Sequence, residues 1–330
     1  MLEHGGNLRA AQARYGGTDW IDLSTGINPH GYPAPAPSAD AWHRLPESDP
    51  ELVGAACAYY GAPRLLPVAG TQAAIQALPR LRAELAGPAR VTVAAPSYAE
   101  HAHHWRHHGH AMREVAYDAL DDAVATSDVV VVVNPNNPTG ATVAPERLLD
   151  WAARLAVRGG WLVVDEAFGD TARALGVAGH VGRPGLVVLR SVGKFFGLAG
   201  LRLGFVGAEE PLLAALGDLL GPWTISGPAQ EIAIAALRDH GWQQATQTRL
   251  ARDGARMHAL LAAHDIDAHG TPLFHWWAAP RAEDFHQHMA RRAIWVRLFP
   301  GAARGIRVGL PGNESAWLRI EQALREWNDT

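Results

Sequence analysis

Five short apolar runs punctuate the first two thirds of the chain, at residues 91–95, 129–134, 161–165, 186–191 and 203–206. They show almost no alternation of polar and apolar positions. That pattern predicts strands of a parallel sheet covered on both faces. Helical patterns fill the gaps. The stretch 145–158 opens on Pro145, which suits a first helical turn, and stops at Gly159-Gly160. Strands and helices in alternation predict an α/β layered domain. Ligands of such sheets gather beyond the carboxyl ends of the strands. The polar residues that close three of the runs, Asn134, Asp165 and Ser191, are therefore expected to converge.

The pattern changes near residue 225. Helices are predicted at 228–239, 241–264, 282–292 and 315–326, and short strands near 274–278, 293–298 and 305–309. The first thirty or so residues, rich in Gly, Asn and Pro, read as a coiled arm outside the main sheet. The expected organisation is an arm over 1–32, a large α/β domain with a mostly parallel sheet over 33–225, and a smaller α+β domain over 226–330.

Composition narrows the class. With 48% hydrophobic residues in 330, the chain can bury a sizeable core. A net charge of −4 gives no reason to expect nucleic acid or an anionic membrane surface. No apolar run approaches bilayer-spanning length, and the N-terminus lacks the basic start and apolar run of a signal peptide. One cysteine, Cys57, excludes an intrachain disulfide and suits a reducing cytoplasm, which is the expected location.

The cations are more informative. Of 29 Lys and Arg residues, Lys194 is the single lysine. Arginine replaces lysine at a surface with little loss. It cannot do so where an amine must shed its proton and attack a carbonyl. Lys194 is thus a candidate for covalent chemistry, chance survival being the bland alternative.

Polar signals recur at the strand ends. Asn134-Pro135-Asn136-Asn137-Pro138-Thr139-Gly140 follows the second run, and its prolines and glycine predict a tight loop. Asp165-Glu166-Ala167-Phe168 closes the next run. Ser191-Val192-Gly193-Lys194 follows, and then Gly200-Leu201-Arg202-Leu203-Gly204. A carboxylate, an amide, a hydroxyl, a lysine and an arginine form the inventory that pyridoxal 5′-phosphate requires. The lysine binds the aldehyde, and the carboxylate keeps the ring nitrogen protonated. The amide reaches the ring oxygen, and the hydroxyl and guanidinium neutralise the phosphate.

Together these segments resemble fold-type I pyridoxal-phosphate enzymes of the class I/II aminotransferase superfamily. The resemblance spans roughly residues 20 to 310 and implies a homodimer. It makes Lys194 the Schiff-base lysine and Asp165 the partner of the ring nitrogen. Asn137 would face the ring oxygen, with Ser191 and Arg202 on the phosphate. It also implies that Gly70, Thr71 and Gln72 offer backbone N–H groups to the phosphate, that Tyr98 stacks on the ring, and that Arg307 binds the substrate carboxylate. Arg297 sits where relatives acting on phosphorylated amino acids place a second substrate arginine. Leu45, Phe168 and Gly193 depart from the pattern, which often has hydroxyl-bearing residues at those places.

The N-terminal stretches His4-Gly5-Gly6-Asn7 and Asp22-Leu23-Ser24-Thr25-Gly26-Ile27-Asn28-Pro29 are similar to those of threonine-phosphate decarboxylases of cobalamin biosynthesis. That likeness implies a small phosphorylated amino acid as substrate, with His4 and Asn28 on its phosphate. The implied reaction converts L-threonine O-3-phosphate to (R)-1-amino-2-propanol O-2-phosphate and carbon dioxide. The alternative is an aminotransferase acting on histidinol phosphate or a related amino acid. A cluster at His101, His103, His104, His107, His108 and His110 offers i,i+4 pairs, but no metal is expected there. A solvated or interface helix is the expected reading.

Overall fold

The structure is a computed structural model and describes residues 4–328. The described strands are β1 Ile21–Asp22, β2 Leu66–Val68, β3 Arg90–Ala94, β4 Ala111–Val115, β5 Val129–Val133, β6 Trp161–Asp165, β7 Leu186–Ser191, β8 Gly204–Gly207, β9 His269–Thr271, β10 Phe274–Ala278, β11 Ile294–Trp295, β12 Arg297–Phe299 and β13 Gly305–Gly309. The chain forms two compact units. One comprises Tyr32–Asn137 and Ala141–Gln244. The other comprises the residues up to Gly31, Pro138–Gly140 and the residues from Ala245 on.

The larger unit is built on a seven-stranded sheet in the order β2-β8-β7-β6-β5-β3-β4. Strands β4, β3, β5, β6 and β7 run parallel. Every residue of β5 is buried, as its unbroken valine run requires of a strand covered on both faces. Trp105, Leu78 and Leu81 pack against one side of the sheet together with Val91, Val131 and Val163. The fold is α/β with a mostly parallel sheet, and one strand corrects the pattern. The run expected at 203–206 forms β8, which is antiparallel to both β7 and β2. Its connection from β7 carries only the 3-10 turn Ala199–Leu201, without the helix that a parallel return uses.

The smaller unit holds the antiparallel sheet β12-β13-β10-β9 and the parallel pair β1-β11. That pair explains the grouping of the N-terminal arm. Ile21 and Asp22 align with Ile294 and Trp295, tying the arm to the C-terminal segment. The arm is not all coil. A helix, Leu8–Tyr15, starts at Asn7, whose side chain accepts from the Ala10 N–H. The strand expected over 293–298 divides at Val296, with β11 joining β1 and β12 joining β13. No described helix is long and apolar enough to cross a membrane.

Candidate active site

At the carboxyl ends of β5, β6 and β7 the larger unit encloses a cavity of about 150 Å³. Gly70, Thr71, Gln72, Tyr98, Asn137, Asp165, Ser191, Lys194 and Arg202 all line it, as does Phe168. Every cofactor-binding position expected from the sequence thus reaches one space. Asn134 does not. Its side chain accepts from the Val143 N–H at 2.9 Å and donates to the Val143 carbonyl at 3.1 Å, closing its own loop. Asn137, three residues on, takes the place at the cavity.

Asp165 is buried at the end of β6. Oδ1 accepts from the Ala167 N–H at 3.0 Å, and Oδ2 accepts from His101 Nε2 at 2.9 Å. His101 corrects the reading of the histidine cluster. It is buried on the helix Ala99–His107, one helical turn beyond Tyr98, and faces inward. His110 is buried too, accepting from the Ala89 N–H and donating to the Pro79 carbonyl. His103 and His107 are the exposed members. Helical periodicity carried the signal, because 101 falls on the same face as the buried Trp105.

The start of the helix Thr71–Ala86 also lines the cavity. Its N-cap is Gly70, in left-handed conformation with φ 72°, and no side chain caps the turn. Uncapped N–H groups at a helix start are an anion site. A Cβ at Gly70 would lie 2.7 Å from Arg202 Nη2, so only glycine lets that guanidinium approach. Arg202 itself sits at φ 54°, a conformation costing an arginine about 1–3 kcal/mol. Ser191 Oγ accepts from the Gly193 N–H at 3.1 Å. Lys194 Nζ lies 5.4 Å from the centre of the Phe168 ring. Burial, then Glu100 and Asp165, push the Tyr98 phenol up to about 12, so it stays a proton donor.

This donor set suits pyridoxal phosphate. A buried carboxylate, an amine, an aromatic face, and an uncapped helix start beside a guanidinium each match one part of that molecule.

The smaller unit holds the positions expected to bind substrate. Arg297 on β12 lies directly opposite Arg307 on β13. Arg307 is buried, and its Nη2 donates to the Ser24 carbonyl at 2.7 Å. Burial, then the neighbouring Arg297, draw its guanidinium down to about 9, with Asp22 acting against them. The sequence reading overlooked Ser24 and Asp22. Ser24 Oγ accepts from the Gly6 N–H at 2.7 Å and donates to Asp22 Oδ1 at 2.6 Å. A Cβ at Gly5 would overlap the Ser24 carbonyl, and Gly6 sits at φ 86°, so each of the paired glycines has its own reason. The arm is thereby fastened beside Arg307. Asn28 is buried and accepts from the His30 N–H at 2.9 Å, whereas His4 is exposed.

A parallel sheet with a lysine, a carboxylate and an anion-binding helix start at its strand ends defines a class of cofactor-dependent enzymes. The chain belongs to the family described as Aminotransferase class I and II, whose profile matches residues 18–325. It is 51% identical to a threonine-phosphate decarboxylase of Pseudomonas aeruginosa, over 98% of this chain and 97% of the relative. It is 45% identical to a threonine-phosphate decarboxylase of a Sinorhizobium species, again over 98% and 97%. The fold is shared with a histidinol-phosphate aminotransferase from Sinorhizobium meliloti, solved in complex with pyridoxal-5′-phosphate. The TM-score is 0.82 at 21% identity, covering 99% of this chain and 95% of that one.

Proposed function

We propose that this protein uses pyridoxal 5′-phosphate to decarboxylate L-threonine O-3-phosphate to (R)-1-amino-2-propanol O-2-phosphate. The observation that carries this reading is the Arg297/Arg307 pair. Two guanidinium side chains at directly opposed positions of adjacent strands suit a ligand with two anionic groups. Threonine phosphate brings two anionic groups, a carboxylate and a phosphate. Histidinol phosphate brings one. The near full-length identity to two threonine-phosphate decarboxylases supports the same choice.

The residues divide the work. Gly70, Thr71 and Gln72 offer N–H groups to the cofactor phosphate, and Ser191 and Arg202 complete its shell. Asp165, steadied by His101, holds a proton at the ring nitrogen. Asn137 would donate to the ring oxygen, and Tyr98 would cover the ring face. Bound pyridoxal phosphate supplies a ring that accepts the electron pair left at the substrate α-carbon when carbon dioxide departs. Lys194 would hold the cofactor through its ε-amine, and the same amine would be the group that delivers a proton to the substrate α-carbon. Arg307 grips the substrate carboxylate, and Arg297, His4 and Asn28 its phosphate. Gripping these remote groups would orient the substituents of the α-carbon, using binding energy away from the reacting bond.

The test incubates cofactor-loaded protein with threonine phosphate. Carbon dioxide release with no keto-acid acceptor is expected, and strict dependence on 2-oxoglutarate overturns the reading in favour of an aminotransferase. Wild type mixed with pyridoxal phosphate should show the visible absorbance of the lysine-bound cofactor, and Lys194→Ala should not. We further propose a cytoplasmic homodimer. Trp42, Leu45 and Trp223 are 67%, 67% and 60% exposed, large apolar surface for a protein that stays single. Sedimentation showing only monomer at micromolar concentration removes that part.

A further inference from the structure

Resting on the cofactor reading above, we propose that Glu100 is a positioning residue that holds Tyr98 in place over the cofactor through the side chain of Gln72. Glu100 is the second residue of the helix Ala99–His107, and its carboxylate is nearly buried, with 12% of the side chain exposed. Its Oε2 accepts from Gln72 Nε2 at 2.8 Å and from His104 Nε2 at 3.0 Å. A carboxylate only accepts, so it dictates which way the Gln72 amide faces. The amide oxygen is turned the other way, where it accepts from the Tyr98 hydroxyl at 3.3 Å. Both Gln72 and Tyr98 line the cavity, whereas Glu100 does not.

The Tyr98 ring also meets a residue of the same helix. His101 meets it edge-on, with centroids 6.2 Å apart and planes at 82°, while its Nε2 holds Asp165. Helical spacing makes this possible. Tyr98 and His101 are three residues apart, Glu100 and His104 four. The helix thus contributes to two histidine–carboxylate pairs, His101 with Asp165 of β6 at the cavity and His104 with Glu100 behind its aromatic cover. Without Glu100 the Gln72 amide can turn over, and the Tyr98 hydroxyl loses its fixed acceptor.

The experiment compares wild type, E100A, E100Q, Y98F and Y98F/E100A as apoproteins titrated with pyridoxal phosphate. It reads the affinity and the visible circular dichroism of the bound cofactor. E100A is expected to weaken cofactor affinity roughly tenfold, the scale of one lost charge-assisted hydrogen bond, and to reduce the visible ellipticity. E100Q keeps an acceptor oxygen and should recover most of both. In the Y98F background E100A should add little, because the chain of contacts is already cut. Should E100A not fold, Q72L breaks the middle link and is expected to give the same loss. Equal ellipticity and affinity in wild type and in whichever of these variants folds overturns the proposal, as does an undiminished effect of E100A on Y98F. A wild type that gives no visible band removes the cofactor reading itself, a separate result.

Discussion

Replacing Arg190 with methionine tests how the two strand ends that carry Asp165 and Ser191 are held together. Arg190 is buried on β7, one residue before Ser191. Its Nη1 donates to Glu166 Oε2 at 2.6 Å and its Nη2 to Asp170 Oδ1 at 2.9 Å. Glu166 follows Asp165 directly and also accepts from the Val177 N–H. The three charged side chains are 5% exposed or less. Removing one partner of a buried ion pair leaves charge without compensation, a loss of about 3–5 kcal/mol. In a chain of 330 residues that lowers the melting temperature by roughly 4–7 °C. The pH dependence gives the sharper check. Burial raises both carboxyls above their ordinary range, against the pull of Arg190. Burial lowers Arg190, yet Asp170 and Glu166 more than reverse it, so it stays charged. Without Arg190 the carboxyls rise further. A group whose folded pKa is raised keeps its stability at low pH and loses it as pH climbs through that value. The deficit of R190M should therefore be small near the ordinary carboxylate range, about pH 4, and widen toward pH 8. Thermal unfolding of the apoproteins across that range measures it. R190M/D170N should recover part of the loss at pH 8. A deficit below about 1 kcal/mol at pH 8, or one that does not change with pH, would refute the reasoning.

Two further outcomes follow from other buried histidines. His101→Leu removes a charge-assisted hydrogen bond to Asp165, so decarboxylation should slow by roughly 10- to 100-fold, while His103→Leu on the exposed side changes little. Steady-state kinetics of the pair separates these, and equal rates would remove the role given to His101. His275 on β10 is buried, its Nδ1 has no hydrogen-bond partner among the described residues, and burial, then His258, lower its pKa to about 4. A depressed folded pKa means stability is lost as pH falls from about 6.5 to 4. His275→Leu should abolish up to about 3 kcal/mol of that acid loss, measured by urea unfolding at pH 7 and pH 4.

Much of this arrangement was legible in the sequence, and the exceptions have physical causes. The strands β6, β7, β10 and β13 fall where their apolar runs place them, because burial on both faces or strong alternation leaves no other reading. Strand β2 was missed, being three residues long with Pro67 in the middle and lying at a sheet edge. Strand β4 was missed for a related reason, since an edge strand with Arg113 and Glu114 half in solvent lacks a buried pattern. Motif spacing brought Lys194, Asp165, Asn137, Ser191 and Arg202 to one cavity. The strand-end pattern alone pointed to Asn134, whereas the motif resemblance pointed to Asn137, and the difference lies in which amide the loop uses to close itself. Motif spacing could not pick His101 from among six histidines. Ser24 has no chemistry of its own to mark it, and its part appears only when the arm lies against β13.

The cavity also holds the only ε-amine in the chain, because Lys194 is the single lysine. A borohydride treatment that fixes the bound cofactor to an ε-amine can leave its mark on one side chain alone. Lysine-specific cleavage cuts there and nowhere else, dividing the chain immediately before Phe195. A lysine alkylated by the reduced cofactor resists that cut, so digestion of the denatured, borohydride-treated protein gauges how much of it carried cofactor at Lys194.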